Sequence, residues 1–194
     1  QDPAILGSSV SVICRFGEET RRGEEQVLVR ELDRFGLKVG GVEFVREPGT
    51  LEGGDVLVTD HGIFVGESRR TNPNGVEQFR QYLRALPVAP VKTELLHLLC
   101  ACTYLCNRTM IIVPELIGAE QFHGFKFVFV PKEEAYAADA LYLGGGKTLI
   151  PAGFPRTSKK LRETRYKPIE IDISEFYKGD GGVTCLCSPI YKLF

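Results

Sequence analysis

The chain has 194 residues, 24 Lys and Arg against 25 Asp and Glu, a formal net charge of −1 and 43% hydrophobic residues. Those values describe one globular domain over residues 1–194 with enough apolar material for a core, and they exclude the basic surface that nucleic-acid binding requires. The longest mostly apolar stretch, Leu95 to Cys106, has 12 residues and contains His97 and Thr103, short of the about 20 that a membrane-spanning helix needs.

In chain order, Val10 to Cys14 reads as a strand. Between Arg22 and Gly36, Leu28, Leu32 and Phe35 recur at helical spacing behind acidic Glu24 and Glu25, with Gly36 as the stop. Val42 to Val45 is a short strand, and Val56 to Thr59 and Ile63 to Gly66 form two more, joined at hairpin length by Asp60-His61-Gly62. A second helix is capped by Asn72 and begins at Pro73; Val76, Phe79, Leu83 and Leu86 form its apolar stripe before Pro87. Strands follow at Met110 to Val113, Phe127 to Val130, Ala140 to Leu143 and Thr148 to Pro151. A third helix runs from about Pro155 to Thr164, then a strand over Pro168 to Ile171 and a helical turn over Ser174 to Lys178. The repeated order strand, strand, helix, strand predicts an α/β architecture built of repeated units, with no linker dividing it.

Gln1 is not an initiator, the only Met is Met110, and no targeting segment is readable, so the sequence predicts a processed, trimmed or partial chain. Six cysteines in 194 residues are too sparse for a disulfide scaffold and fit a reducing cytoplasm; the sequon Asn107-Arg108-Thr109 is a weak opposing sign. The run Gly144-Gly145-Gly146-Lys147-Thr148 lacks the glycine that a phosphate loop needs at Leu141, and reads as a hairpin turn. Among Cys100, Cys102, Cys106, Cys185 and Cys187, the pairs 100/102 and 185/187 are C-x-C, too tight for the common zinc knuckle. No metal is therefore expected, and Cys100 and Cys102 read as buried thiols packing as small hydrophobes.

Four other runs carry polar groups suited to chemistry. Leu51-Glu52-Gly53-Gly54-Asp55 sets two carboxylates beside paired glycines that allow close backbone approach. Val65-Gly66-Glu67-Ser68-Arg69-Arg70-Thr71-Asn72 ends a strand in two arginines before a helix cap. His97 stands among leucines, and Asp180-Gly181-Gly182-Val183-Thr184-Cys185 puts a thiol after a Gly-Gly turn. Singly these read as a tight turn, a basic surface turn, a core histidine and a terminal loop.

Together and in this order, LEGGD, VGESRRTN before a helix, the Leu-flanked His97 and SEFYKGDGGVTC resemble the guanidine-modifying, amidinotransferase-like superfamily and, within it, the dimethylarginine dimethylaminohydrolases. The resemblance spans Asp2 to Ile190. Arginine deiminases are similar at LEGGD but usually carry His where this chain has Thr184. The resemblance implies an α/β propeller (pentein) of ββαβ units around a central site, and hydrolysis of asymmetric dimethylarginine to citrulline and dimethylamine through a covalent cysteine adduct. It makes Cys185 the nucleophile, His97 the general acid and base, and Glu52 the carboxylate that orients His97. Asp2 becomes a guanidinium-binding carboxylate, and Arg21, favoured over Arg22 by its spacing from Asp2, and Arg70 become the clamp on the substrate α-carboxylate. Asp55 is left between a guanidinium contact and a structural role, and Cys187 is a neighbour without chemistry.

A guanidinium carbon is a poor electrophile, so attack needs a thiolate and a site that fixes the plane of the group. The implied partner is a small methylated arginine, with no nucleic acid or membrane; no redox step, phosphate or hydride is involved, so no cofactor is expected. Several positions depart from the family pattern. Leu99 and Cys100 stand where a Lys and a small polar residue are usual, and Asp139 stands near a common Asn. The chain also begins where a first of five blades should already be complete. A fragment or a degenerate paralogue is therefore expected, weakly active and prone to self-association, possible homo-oligomers included, through unpaired sheet edges. The competing readings are an arginine deiminase-like guanidine hydrolase, a non-catalytic remnant that binds arginine-like ligands or a partner protein, and, distantly, a cysteine-ligated zinc module.

Overall fold

The computed structural model describes residues 1–34, 36–84 and 86–193; Phe35 of the first predicted helical stripe lies outside them. Four successive units follow one plan. The first comprises β1 (Ala4–Gly7), β2 (Val10–Ile13), α1 (Glu24–Arg34) and β3 (Gly41–Phe44), and the second β4 (Val56–Thr59), β5 (Gly62–Glu67), α2 (Pro73–Tyr82) and β6 (Val88–Lys92). The third has β7 (Cys102–Cys106), β8 (Thr109–Ile112) and β9 (Lys126–Phe129), with a single 3-10 turn, Ala119–Gln121, in the helix's place. The fourth is β10 (Leu141–Gly144), β11 (Lys147–Pro151), α3 (Pro155–Glu163) and β12 (Lys167–Ile171); the short α4 (Ser174–Tyr177) and β13 (Ile190–Tyr191) follow.

In every unit the first two strands form an antiparallel hairpin and the third joins the second in parallel. A parallel partner cannot be reached by a tight turn, which is why a helix or a helical turn intervenes before each third strand. β13 returns to pair in parallel with β1, with Leu6 opposite Ile190, tying the last described strand to the first unit. The result is the α/β arrangement of propeller blades.

The helices form for the local reasons read in the sequence. Asn72 Oδ1 accepts the Gly75 N–H at 2.9 Å, and Pro73 occupies the first helical position of α2. Val76, Phe79 and Leu83 are buried, although the helix stops at Tyr82, one turn before the predicted Leu86. Gly75 is required by close approach, since a Cβ there would stand 1.9 Å from the Thr50 carbonyl oxygen.

Four strands lie outside those expected: β1, β6, β7 and β13. β6 contains Pro90, which cannot donate to a ladder and is tolerated at this outer edge, while β7 hides within the apolar run around the thiols. Cys102 is buried there, but Cys100 is exposed, correcting the expectation that both are core thiols. The 3-10 turn Leu98–Cys100 buries Leu98 and Leu99 and leaves Cys100 exposed.

Three of the core clusters cross unit boundaries. Ile5, Val12 and Cys14 of the first unit pack with Val56, Val65 and Phe79 of the second. Leu57 and Val91 pack with Cys102 and Met110, and Leu105 and Ile111 pack with Ile150 and Leu161. The strand-leading turns are thereby brought together around one small cavity.

Candidate active site

The first strand of each unit, and β13, is approached by a turn that carries a chemically capable side chain. Asp2 leads into β1, Glu52 into β4, His97 into β7, Asp139 into β10 and Cys185 toward β13. Asp2, His97, Asp139 and Cys185 line one small cavity with Gln1, Gly54, Leu99, Cys100 and Thr184. Residues nearly fifty positions apart in the chain meet there because the repeat sets the same turn of each unit at the same end.

Glu52 is wholly buried and stands behind His97. Its Oε2 lies 2.8 Å from His97 Nε2, and its Oε1 accepts the Gly17 N–H at 3.1 Å. Arg70 Nη1 reaches Oε1 at 3.4 Å and Arg21 Nη1 is 3.6 Å from Oε2. The paired glycines act as the sequence suggests: a Cβ on Gly54 would stand 2.6 Å from the His97 ring and 2.9 Å from Asp2 Oδ1. Gly54 also donates its N–H to Asp2 Oδ1 at 3.0 Å.

Neither of the two predicted clamp arginines is among the residues lining the cavity; both reach the buried Glu52. Arg21 is engaged by carboxylates of the chain itself: Nη1 donates to Asp2 at 3.0 Å, and Nε and Nη2 donate to Glu24 at 3.0 and 2.9 Å. Arg22 instead reaches Glu19 and the Phe16 carbonyl. Asp55 has both oxygens occupied, Oδ1 by the Leu98 N–H at 2.9 Å and Oδ2 by the Ser68 hydroxyl at 2.7 Å, so it ties the strand end at Ser68 to the turn that carries His97.

These contacts set the ionisation of the site. Burial disfavours a charged His97, but the bond to Glu52 and the charges of Asp2 and Asp55 outweigh it and raise its pKa. Burial likewise opposes ionisation of Asp2, yet His97 and Arg21 bring its pKa below the ordinary value. At Asp55 burial wins and pushes the carboxyl up to about 6. Cys185 is exposed at the cavity rim, but desolvation by the walls, with the charges of Asp139 and Asp2, raises its thiol. Desolvation by the surrounding cavity walls, and then the charge of Asp139, raises the exposed Cys100 thiol to about 12.

Asp2, Glu52 and His97 offer ligand atoms within 4.8 Å of one another, a spacing that would suit a cation. Arg21 already supplies positive charge to both carboxylates at that corner. The arrangement suits a guanidinium or ammonium group set among carboxylates, beside a thiol and a histidine. Sequence reading gave no role to Gln1, Thr184 or Asp139; the signal that finds them is their recurrence at the leading turns.

The chain matches the family profile of N,N dimethylarginine dimethylhydrolase, eukaryotic, over residues 6–192. It is 35% identical over 189 residues to the N(G),N(G)-dimethylarginine dimethylaminohydrolase of Pseudomonas aeruginosa, covering 96% of this chain and 73% of that protein. The chain belongs to the dimethylarginine dimethylaminohydrolase family. An uncharacterized protein of Aeropyrum pernix is 42% identical over 198 residues, covering 100% of this chain and 72% of its own length. The solved structure of the Pseudomonas aeruginosa dimethylarginine dimethylaminohydrolase, a cysteine-to-serine variant complexed with citrulline, superposes with a TM-score of 0.87 at 35% identity over 95% of this chain and 72% of that one. The family's α/β propeller is therefore the fold of this chain. Among the described residues no helix is long and apolar enough to cross a membrane.

Proposed function

We propose that this family member hydrolyses asymmetric dimethylarginine to citrulline and dimethylamine in the cytoplasm, with residues 1–194 acting as one catalytic domain. The observation that carries the reading is His97, backed by buried Glu52 at 2.8 Å and set in one cavity with Asp2 and Cys185. The Pseudomonas aeruginosa relative holds citrulline in a variant that exchanges a cysteine for serine, which agrees with a cysteine acting at the guanidine carbon.

In this mechanism the guanidinium lies against Asp2, and its positive charge together with His97 in its protonated form favours the Cys185 thiolate despite the raised thiol. The thiolate attacks the guanidine carbon, and His97 donates a proton to the departing dimethylamine, leaving an amidino-cysteine adduct. His97 then takes a proton from water, the hydroxide adds to the adduct carbon, and the C–S bond breaks as the added hydroxyl loses its proton to solvent, where dimethylamine takes one up as dimethylammonium, leaving citrulline and the thiolate. Glu52 holds the ring and its positive charge through both transfers. Arg70 and Arg21 bind the substrate α-carboxylate, for which Arg21 exchanges the two-pronged contact it makes with Glu24.

The test is citrulline release from asymmetric dimethylarginine and from arginine by the wild-type chain, Cys185→Ser and Cys187→Ser. Turnover of the methylated substrate that vanishes in Cys185→Ser and survives in Cys187→Ser is expected. Equal loss in both variants overturns the assignment of the nucleophile, and binding without turnover in the wild type overturns the enzymatic reading.

A further inference from the structure

Asp139 is a buried carboxylate at the site that the proposed reaction does not use. It leads into β10 as Asp2, Glu52 and His97 lead into their own strands, and so it is the fourth unit's counterpart of those residues. Oδ1 accepts the Thr184 N–H at 2.7 Å. Oδ2 lies against Gly182, where an added Cβ would stand 1.9 Å from it, so the turn and the carboxylate are fitted to each other. Tyr136, from the same segment, donates its hydroxyl to the Gly181 carbonyl.

The segment that grips this turn is itself anchored. Thr103 Oγ1 donates to the Ala138 carbonyl at 2.9 Å. Glu134 accepts the Arg156 and Thr157 N–H groups at 3.1 and 2.7 Å and the Thr157 hydroxyl at 2.7 Å, at the start of α3. Residues 181–184, which run directly into Cys185, are thus held by a clamp fixed to two other elements.

We propose that Asp139 is a positioning residue for Cys185: one carboxylate oxygen fixes the backbone that aims the thiol, and the carboxylate shares the wall of the cavity into which that thiol is set. This rests on Cys185 being the nucleophile. The groups that face the thiol are Asp139, Asp2, His97 and Cys100 in the cavity walls, and the amino group of Gln1, which acts in the opposite sense to the carboxylates. Burial raises Asp139 to about 6, so its charge is present from neutral pH upward.

Two substitutions separate the parts of the role. Asp139→Asn keeps an oxygen for the Thr184 N–H and removes the charge, whereas Asp139→Leu removes both. Alkylation of Cys185 by iodoacetamide from about pH 6 to about pH 10, read on the Cys185 residue by fragment mass spectrometry, needs no substrate. In Asp139→Asn the pH of half-maximal reactivity is expected to fall by roughly half a unit or more, with the thermal transition retained. In Asp139→Leu kcat for citrulline release is expected to fall on the order of a hundredfold, with KM moved far less. An unshifted alkylation profile in Asp139→Asn, or undiminished kcat in a folded Asp139→Leu, overturns the proposal. Should Asp139→Leu not fold, the Asp139→Asn profile decides alone. A wild-type chain that releases no citrulline defeats the functional reading, while the alkylation profiles still decide what Asp139 does to the thiol.

Discussion

Glu52 divides its two oxygens between His97 on one side and Gly17 and Arg70 on the other, while Arg21 lies within ion-pair reach of the first. Glu52→Gln keeps the shape of that hub and removes its charge, so His97 loses the partner that favours its protonated form. Turnover is expected to drop by about a hundredfold or more, the scale of one general acid-base contribution, as read in steady-state kcat. Asp55 is suited to a different measurement. Its carboxyl is raised from 3.8 to about 6, so between those values the folded chain holds a proton that the unfolded chain has released. Stability therefore falls as pH rises through that window. His97 acts in the same direction at higher pH, since its raised pKa gives stability present below the unfolded value and lost as pH climbs through the folded one. Asp55→Asn, which can still accept the Leu98 N–H, is expected to flatten the fall of melting temperature between about pH 4 and pH 6. A slope equal to wild type would contradict the burial of a protonated Asp55.

At the scale of elements, the leading turns do the positioning, and their glycines set how closely they approach. Gly54 leaves no room for a methyl group between the His97 ring and Asp2, and β4 begins two residues later. Gly54→Ala is expected to lower kcat by about a hundredfold through displacement of the histidine while far-UV circular dichroism stays native. Loss of folded signal in step with activity would show instead that the turn is needed for the strand. The single 3-10 turn that replaces a helix in the third unit shows the tolerance of the plan, because β8 and β9 still pair in parallel across it.

Across the whole molecule, three hydrophobic clusters each draw side chains from two neighbouring units. No unit among the four can be removed from its neighbours without exposing part of a shared core. We propose on that ground that the chain unfolds as one domain. Ile111 is fully buried between the third and fourth units, and Ile111→Ala is expected to cost about 2–5 kcal/mol while leaving a single transition by calorimetry and by circular dichroism. Two resolved transitions would separate the units and refute the proposal.

The sequence by itself determined the parts whose causes are local. The apolar spacing of α1, the stripe and Asn72 cap of α2, the span of α3, the hairpin at Asp60-His61-Gly62 and the family to which the motifs belong are readable there, because helical spacing and turn chemistry act over a few residues. β6, with its proline, and the two-residue β13 have no such signature; they exist because β5 and β1 offer them a partner. The same division runs through the site. Glu52, His97, Arg70 and Cys185 stand out in the motifs, and the structure sets His97 and Cys185 in one cavity, with Glu52 behind the histidine and Arg70 against Glu52. The exposure of Cys100, the engagement of Arg21 by Glu24, the occupation of both Asp55 oxygens and the grip of Asp139 on the Cys185 turn were decided only by the tertiary structure. Each depends on which strand-leading turns meet across the molecule, and that meeting is set by sheet pairing and shared cores between distant units rather than by any residue's neighbours in the chain.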